Sequence, residues 1–127
     1  MNKWLIKMEH NGVKVETVIE KTDILEGETL TGSLYINFVE EEMIDVISLQ
    51  VYRASSTGHV LIDKHSVEPI GNIHSKDTEI ISFELIPDER WVCQPDERLV
   101  FKTLVQFLDG SECDDEGIIS YEPASYT

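Results

Sequence analysis

Leu30-Thr31-Gly32-Ser33-Leu34-Tyr35-Ile36-Asn37-Phe38 is the stretch that decides the fold class. Leu30, Gly32, Leu34, Ile36 and Phe38 alternate with Thr31, Ser33, Tyr35 and Asn37. A period of two sends each set to its own face of an extended chain, so this is a strand with one face buried and one wet. Gly32 belongs to the inward set, where a missing side chain leaves room for a large residue opposite. The period recurs on both sides. Val13, Val15, Thr17 and Ile19 alternate with Lys14, Glu16 and Glu20. Ile47, Leu49 and Val51 follow, then a weaker run at Val60, Leu61 and Ile62, then Ile81, Phe83 and Leu85. Leu99, Phe101, Thr103, Val105 and Phe107 make the next run, and Ile118 to Tyr121 the last. The count is about seven strands.

Turn chemistry separates these runs: Glu26-Gly27, Gly58, Gly71-Asn72, Pro87-Asp88, Pro95-Asp96, Asp109-Gly110 and Gly117. In Leu25-Glu26-Gly27-Glu28 the glycine takes the third turn position, where a type II turn demands positive φ. Trp91-Val92, between two copies of Pro-Asp-Glu-Arg, is expected to cover one end of the domain. No crossover helix is legible, which excludes a parallel sheet. The pattern reads as all-β, an immunoglobulin-like antiparallel β-sandwich. Residues 13–127 form this single domain. Residues 1–12 precede it as a short helix or strand. As a helix, Trp4, Leu5 and Met8 would share one face and pack over an end of the sandwich.

A length of 127 residues is one domain's worth. Twenty-five acidic residues against 10 basic ones give a formal charge of −15 and a pI near 4.4. The distribution is uneven. Residues 1–14 carry Lys3, Lys7 and Lys14 against Glu9, a surplus of +2, so the remainder carries −17 of the −15 total. Such a chain lacks the basic surface that releases counterions from nucleic acid, and anionic lipid repels it. No apolar run approaches the roughly 20 residues of a membrane span. Lys7 and Glu9 interrupt the first apolar run, so no secretory signal is expected. Cys93 and Cys113 flank the Leu99–Leu108 run. A ten-residue strand is about 30 Å long, whereas a disulfide needs Cα atoms within about 7 Å. Both are expected to be free thiols, which with the missing signal points to the cytoplasm.

Catalytic chemistry finds no foothold. There is no Gly-x-Ser-x-Gly elbow, no glycine-rich phosphate loop, and no histidine close to either cysteine in sequence. His59 and His65 stand about 20 Å apart along one strand and cannot share a zinc ion. The acidic stretch Asp109 to Gly117 is the best candidate for a hard cation, through Asp109, Asp114, Asp115 and Glu116. It fails as a calcium loop, because Cys113 and Asp114 occupy places that need an acidic ligand and the turn glycine. It is expected to be a solvated hairpin loop, as is the Glu40-Glu41-Glu42 turn. No catalytic residue, metal or cofactor is expected.

The stretch from Val13 to Gly32 resembles the opening of the bacterial sporulation-control protein M family, within the wider arrestin-like group. Gly27-Glu28 and Leu30-x-Gly32 carry the likeness, with Glu26 where the family usually has proline. Ile44-x-x-Ile47-x-Leu49-x-Val51 looks like the family's third strand, and Ser82 to Pro87 like its apolar strand ending in proline. Lys102-Thr103-Leu104 is similar to an element of its penultimate strand, which Val105-Gln106 then leaves. The resemblance implies an arrestin-like β-sandwich with a regulatory or adaptor role and no enzymatic activity. Gly27, Gly32 and Pro87 are then fold-forming. The family joins two such domains, whereas this chain spans one. The function expected is a non-catalytic, intracellular adaptor acting by protein–protein interaction; the alternative is a structural or self-assembling subunit. The run from Val60 to Lys64 falls at a sheet edge, so Val60, Ile62 and Lys64 are the candidate partner-binding residues. Lys64 serves equally as the guard that keeps such an edge from pairing indiscriminately. A partner should present a basic surface, and the same edge suits a homodimer.

Overall fold

The computed structural model describes residues 4–10, 13–38, 44–67 and 78–123. The Glu40-Glu41-Glu42 and Gly71-Asn72 turns lie outside the described residues. Within them, nine strands build two sheets. The first contains β1 (Trp4–His10), β2 (Val13–Ile19), β4 (Leu30–Phe38) and β7 (Thr78–Leu85), in the order β1-β2-β4-β7. Each of its pairings is antiparallel. The second contains β3 (Asp23–Leu25), β5 (Ile44–Ser55), β6 (Gly58–Val67), β8 (Arg98–Phe107) and β9 (Glu112–Glu122), in the order β3-β9-β8-β5-β6. Only β3 runs parallel to its neighbour. The all-β sandwich expected from the alternation is the architecture of the chain.

The inward rows meet between the sheets. Val13, Val15, Thr17 and Ile19 of β2 are buried, as are Leu30, Leu34 and Ile36 of β4 and Ile47, Leu49 and Val51 of β5. Burying each such aliphatic side chain contributes about 1.5–3 kcal/mol. A one-residue register slip would expose a whole row, so the register is strongly specified. Two contacts tie the sheets together. The Phe83 and Phe101 rings stack with centroids 5.7 Å apart, and the Thr17 and Thr103 Oγ1 atoms lie 3.1 Å apart in the core. A Cβ on Gly32 would collide with the Val18 carbonyl oxygen and meet the Phe83 ring at 2.7 Å. That glycine is the space in which Phe83 sits.

Three expectations need correction. The strand count is nine among the described residues, not seven, because β1 and β3 carry too little alternation to be read. The helical alternative for the N-terminal segment fails, since residues 4–10 pair with β2 from Trp4↔Ile19 to His10↔Val13. Lys7, Met8 and Glu9 alternate in burial, with Met8 turned into the core. Third, Asp109 to Gly117 is not a loop. A tight turn, in which Gly110 N–H donates to Phe107 O at 3.0 Å, reverses the chain at once. Glu112 to Gly117 then pairs with β8 as strand. Eight residues of β9, Glu112 to Ile119, thereby pair with β8 despite their charge, because antiparallel pairing tolerates a wet outer face.

One end of the sandwich is closed by a single 3-10 turn, Glu89–Trp91. Asp88 caps it, its Oδ1 accepting from Arg90 N–H at 2.8 Å. The turn drives Trp91 into the core with no exposed surface, edge-on to Tyr121 at 6.4 Å.

Candidate functional site

Two surfaces stand out: the β6 edge with the sheet face beside it, and a groove at the Trp91 end. β6 is the outermost strand of its sheet, so among the described residues one side of its backbone has no neighbouring strand. Val60 and Leu61 are 50% and 46% exposed, and Lys64 is exposed. Ile62 is a correction. It is 4% exposed and belongs to the core, because a register shift opposite Val51/Tyr52 turns it inward. A bulge at an edge also twists the strand and limits indiscriminate pairing.

Strand register brings a second feature together. Leu61 pairs with Tyr52, Tyr52 with Val100, and Val100 with Ile118. These four residues cross four strands at one level. Phe101 and Ile119 point into the core, so Val100 and Ile118 point away from it. Val100 is buried yet stands outside the core cluster, covered on the outer face, whereas Ile118 is 63% exposed. Beside this apolar strip, Lys102 Nζ lies 3.1 Å from Asp114 Oδ2 and 5.9 Å from the Tyr52 ring centroid. The hydrogen bond to Asp114 holds the Lys102 ammonium above its ordinary pKa. No single run of sequence contains the strip, and only the pairing register reveals it.

The four candidate cation ligands do not converge. Asp109 Oδ1 accepts from Ser111 N–H at 2.8 Å within the turn, and Asp114 engages Lys102. Asp115 lies on the face of β9 opposite Asp114 and Glu116, and its Oδ1 accepts from Glu116 N–H. Among the described residues no group of three or more His, Cys, Asp or Glu is placed to hold a metal ion. Cys93 and Cys113 are free thiols, half-buried against the core. Among the described residues no helix is long and apolar enough to cross a membrane.

The groove has a volume of about 450 Å³, within the range of sites that take a side chain or small ligand. One wall is the turn Leu25 to Glu28, closed by Glu28 N–H donating to Leu25 O at 2.9 Å. Gly27 holds its third position with φ of 89°. The Glu28 carboxylate accepts from Lys21 Nζ at 2.9 Å and from Leu25 N–H at 2.8 Å, which depresses its pKa. The other wall is the Asp88-capped turn, where the hydrogen bond from Arg90 lowers the pKa of Asp88. Ile86, Pro87, Val92 and Tyr121 lie between them. Pro87 thus ends up on a groove rather than only at a strand end.

No protein-family model and no curated protein sequence matches this chain. Solved structures do. Spo0M, a sporulation control protein from Bacillus subtilis, superimposes with a TM-score of 0.65 at 16% identity. The match covers 89% of this chain and 50% of Spo0M, so the chain spans about half the length of that protein. At this identity the likeness concerns the fold, and the fold is the arrestin-like sandwich. A β-glucosidase from Listeria innocua matches over 87% of this chain and 16% of its own at a TM-score of 0.47 and 17% identity. That likeness is too loose to bear on the chain.

Proposed function

We propose that the chain is a non-catalytic regulatory adaptor that works in the cytoplasm by binding a protein with a basic surface. The observation that carries this reading is the continuity of the β6 edge, with Val60 and Leu61 exposed, into the Tyr52–Val100–Ile118 strip. Exposed apolar side chains beside a backbone edge that is unpaired among the described residues are what strand addition and sheet-face docking both use. Similarity to a sporulation control protein supports a regulatory setting. The overall charge of −15 supports a cationic partner. Lys64 and the bulge at Ile62 discourage unselective pairing, which leaves specificity to the strip.

The test replaces Leu61 and Ile118 together with arginine. Both side chains are exposed, so stability should change by no more than about 0.5 kcal/mol per site. Cross-linking in extracts of the native cell should then lose the partner that the wild type captures. Identical capture by a folded variant would remove this surface from consideration.

A further inference from the structure

We propose that the groove at the Trp91 end is a docking site for an extended cationic segment of a partner protein, whose arginine or lysine lies along the groove. This proposal does not depend on the β6 surface. Among the described residues four carboxylates line the groove, those of Glu26, Glu28, Asp88 and Glu89, and neither lysine nor arginine does. Lys21 and Arg90 stand beside it and are engaged with Glu28 and Asp88. Those pairs fix the two walls, so the site needs little ordering when something binds. Glu26 and Glu89 are exposed at its rim.

The floor selects the kind of cation. Ile86, 69% exposed, is the most exposed large apolar side chain among the described residues, and Pro87 and Val92 flank it. A small inorganic cation has no use for such a floor. A lysine or arginine does, because its methylene stem covers apolar surface while its charged head reaches outward. The arrangement therefore fits a long cationic side chain, with the stem on Ile86 and the head between Glu26 and Glu89. An acidic segment would meet four carboxylates against two cations, Lys21 and Arg90, and would be repelled by the excess.

Calorimetric titration of the whole chain with a capped peptide of alternating arginine and valine tests this at low salt. Removing the rim charges with Glu26→Gln plus Glu89→Gln should weaken binding about tenfold, as expected for losing a charge-assisted contact. Ile86→Ser should also weaken it measurably. A control, Glu112→Gln plus Glu116→Gln, removes equal charge farther along β9, at about 33 Å and about 20 Å from Glu122. It should bind nearly as the wild type does. The Leu61→Arg, Ile118→Arg variant should bind this peptide normally, which separates this proposal from the β6 reading. Circular dichroism melts establish that each variant is folded. The proposal is overturned if the control loses as much as the rim variant, since the attraction then belongs to the whole acidic body. Absence of binding, or indifference to Ile86→Ser, overturns it too. So does a concentration-dependent dimer lost in the rim variant, because the occupant is then a second copy of this chain.

Discussion

Gly32 and Gly27 need the smallest side chain for opposite reasons, and this can be measured. At Gly32 the backbone is ordinary strand and the space is taken, by Phe83 and the Val18 carbonyl. At Gly27 the space is open and the backbone is not, with φ at 89°. Gly32→Ala should therefore cost about 1–3 kcal/mol through overpacking, and Phe83→Leu should recover part of it. A double-mutant cycle by urea denaturation should give a coupling of at least about 0.5 kcal/mol. Gly27→Val should cost about 1–2 kcal/mol through backbone strain alone, with no coupling to Phe83. The thiols give a pH dependence whose sign is fixed. Burial raises the pKa of Cys93 and Cys113 above that of an ordinary thiol, and the nearby carboxylates of Glu97 and Asp114 raise them further, against a smaller lowering of Cys93 by Arg53. The folded protein keeps protons that the unfolded chain gives up. Their contribution is intact below the unfolded pKa and is lost as pH rises through the folded values. Stability should thus decline above about pH 8.5, and less steeply when both cysteines are alanine. An equal slope in the double variant would assign the decline to other groups. The Gly32 reading was available from the sequence because one alternating run contains it. The Phe83 that fills its space lies on another strand, and the sequence does not state that pairing.

β4 and β8 could be read directly, while β1 and β3 could not, and the difference is where each strand gets its specification. β4 and β8 have one face in the core along most of their length, so burial writes a period of two into them. β1 is an edge strand paired to β2, and in its sequence Trp4-Leu5-Ile6 breaks the alternation that would mark a strand. A stronger signal was present in Asn11-Gly12, the dipeptide favoured in two-residue hairpins, which lies between the paired residues His10 and Val13. β3 is three residues long and shows no period at all; Ile24, in the core, is its one inward anchor. Met8→Ala should consequently cost about 2 kcal/mol, which a loosely attached N-terminal segment would not show in a denaturation midpoint. The acidic half of β9 has the composition of a loop, yet every second residue of Glu112 to Gly117 is merely a wet outer position. With its carboxylates split between two faces, millimolar calcium should raise the melting temperature no more than magnesium does. A large calcium-specific rise abolished by Asp114→Ala with Asp115→Ala would show that the carboxylates converge after all.

Charge is the property of the whole molecule that the sequence states outright, and it acts on folding and on binding with opposite signs. At −15, a folded chain of this size holds its carboxylates closer together than the unfolded chain does, so self-repulsion works against the compact state. The partner-facing surfaces belong to the other kind of property. The Leu61–Tyr52–Val100–Ile118 strip draws on β6, β5, β8 and β9, and the groove joins residues near 26, 88 and 121. Neither exists until sheet order and register are set, so neither could be read along the chain. Salt separates the two effects. Raising ionic strength from about 0.01 M to 1 M shortens the Debye length from about 30 Å to about 3 Å. The melting temperature should rise over that range as self-repulsion is screened, and the exposed Lys21–Glu28 and Arg90–Asp88 pairs should offset little of the gain. Association with a basic partner or peptide should slow over the same range, since its encounter is steered by the charge being screened. Scanning calorimetry and stopped-flow mixing on one salt series measure both. If stability and association rate moved in the same direction, the acidic surface would not be what draws the partner, and the cationic occupant proposed for the groove would lose its electrostatic basis.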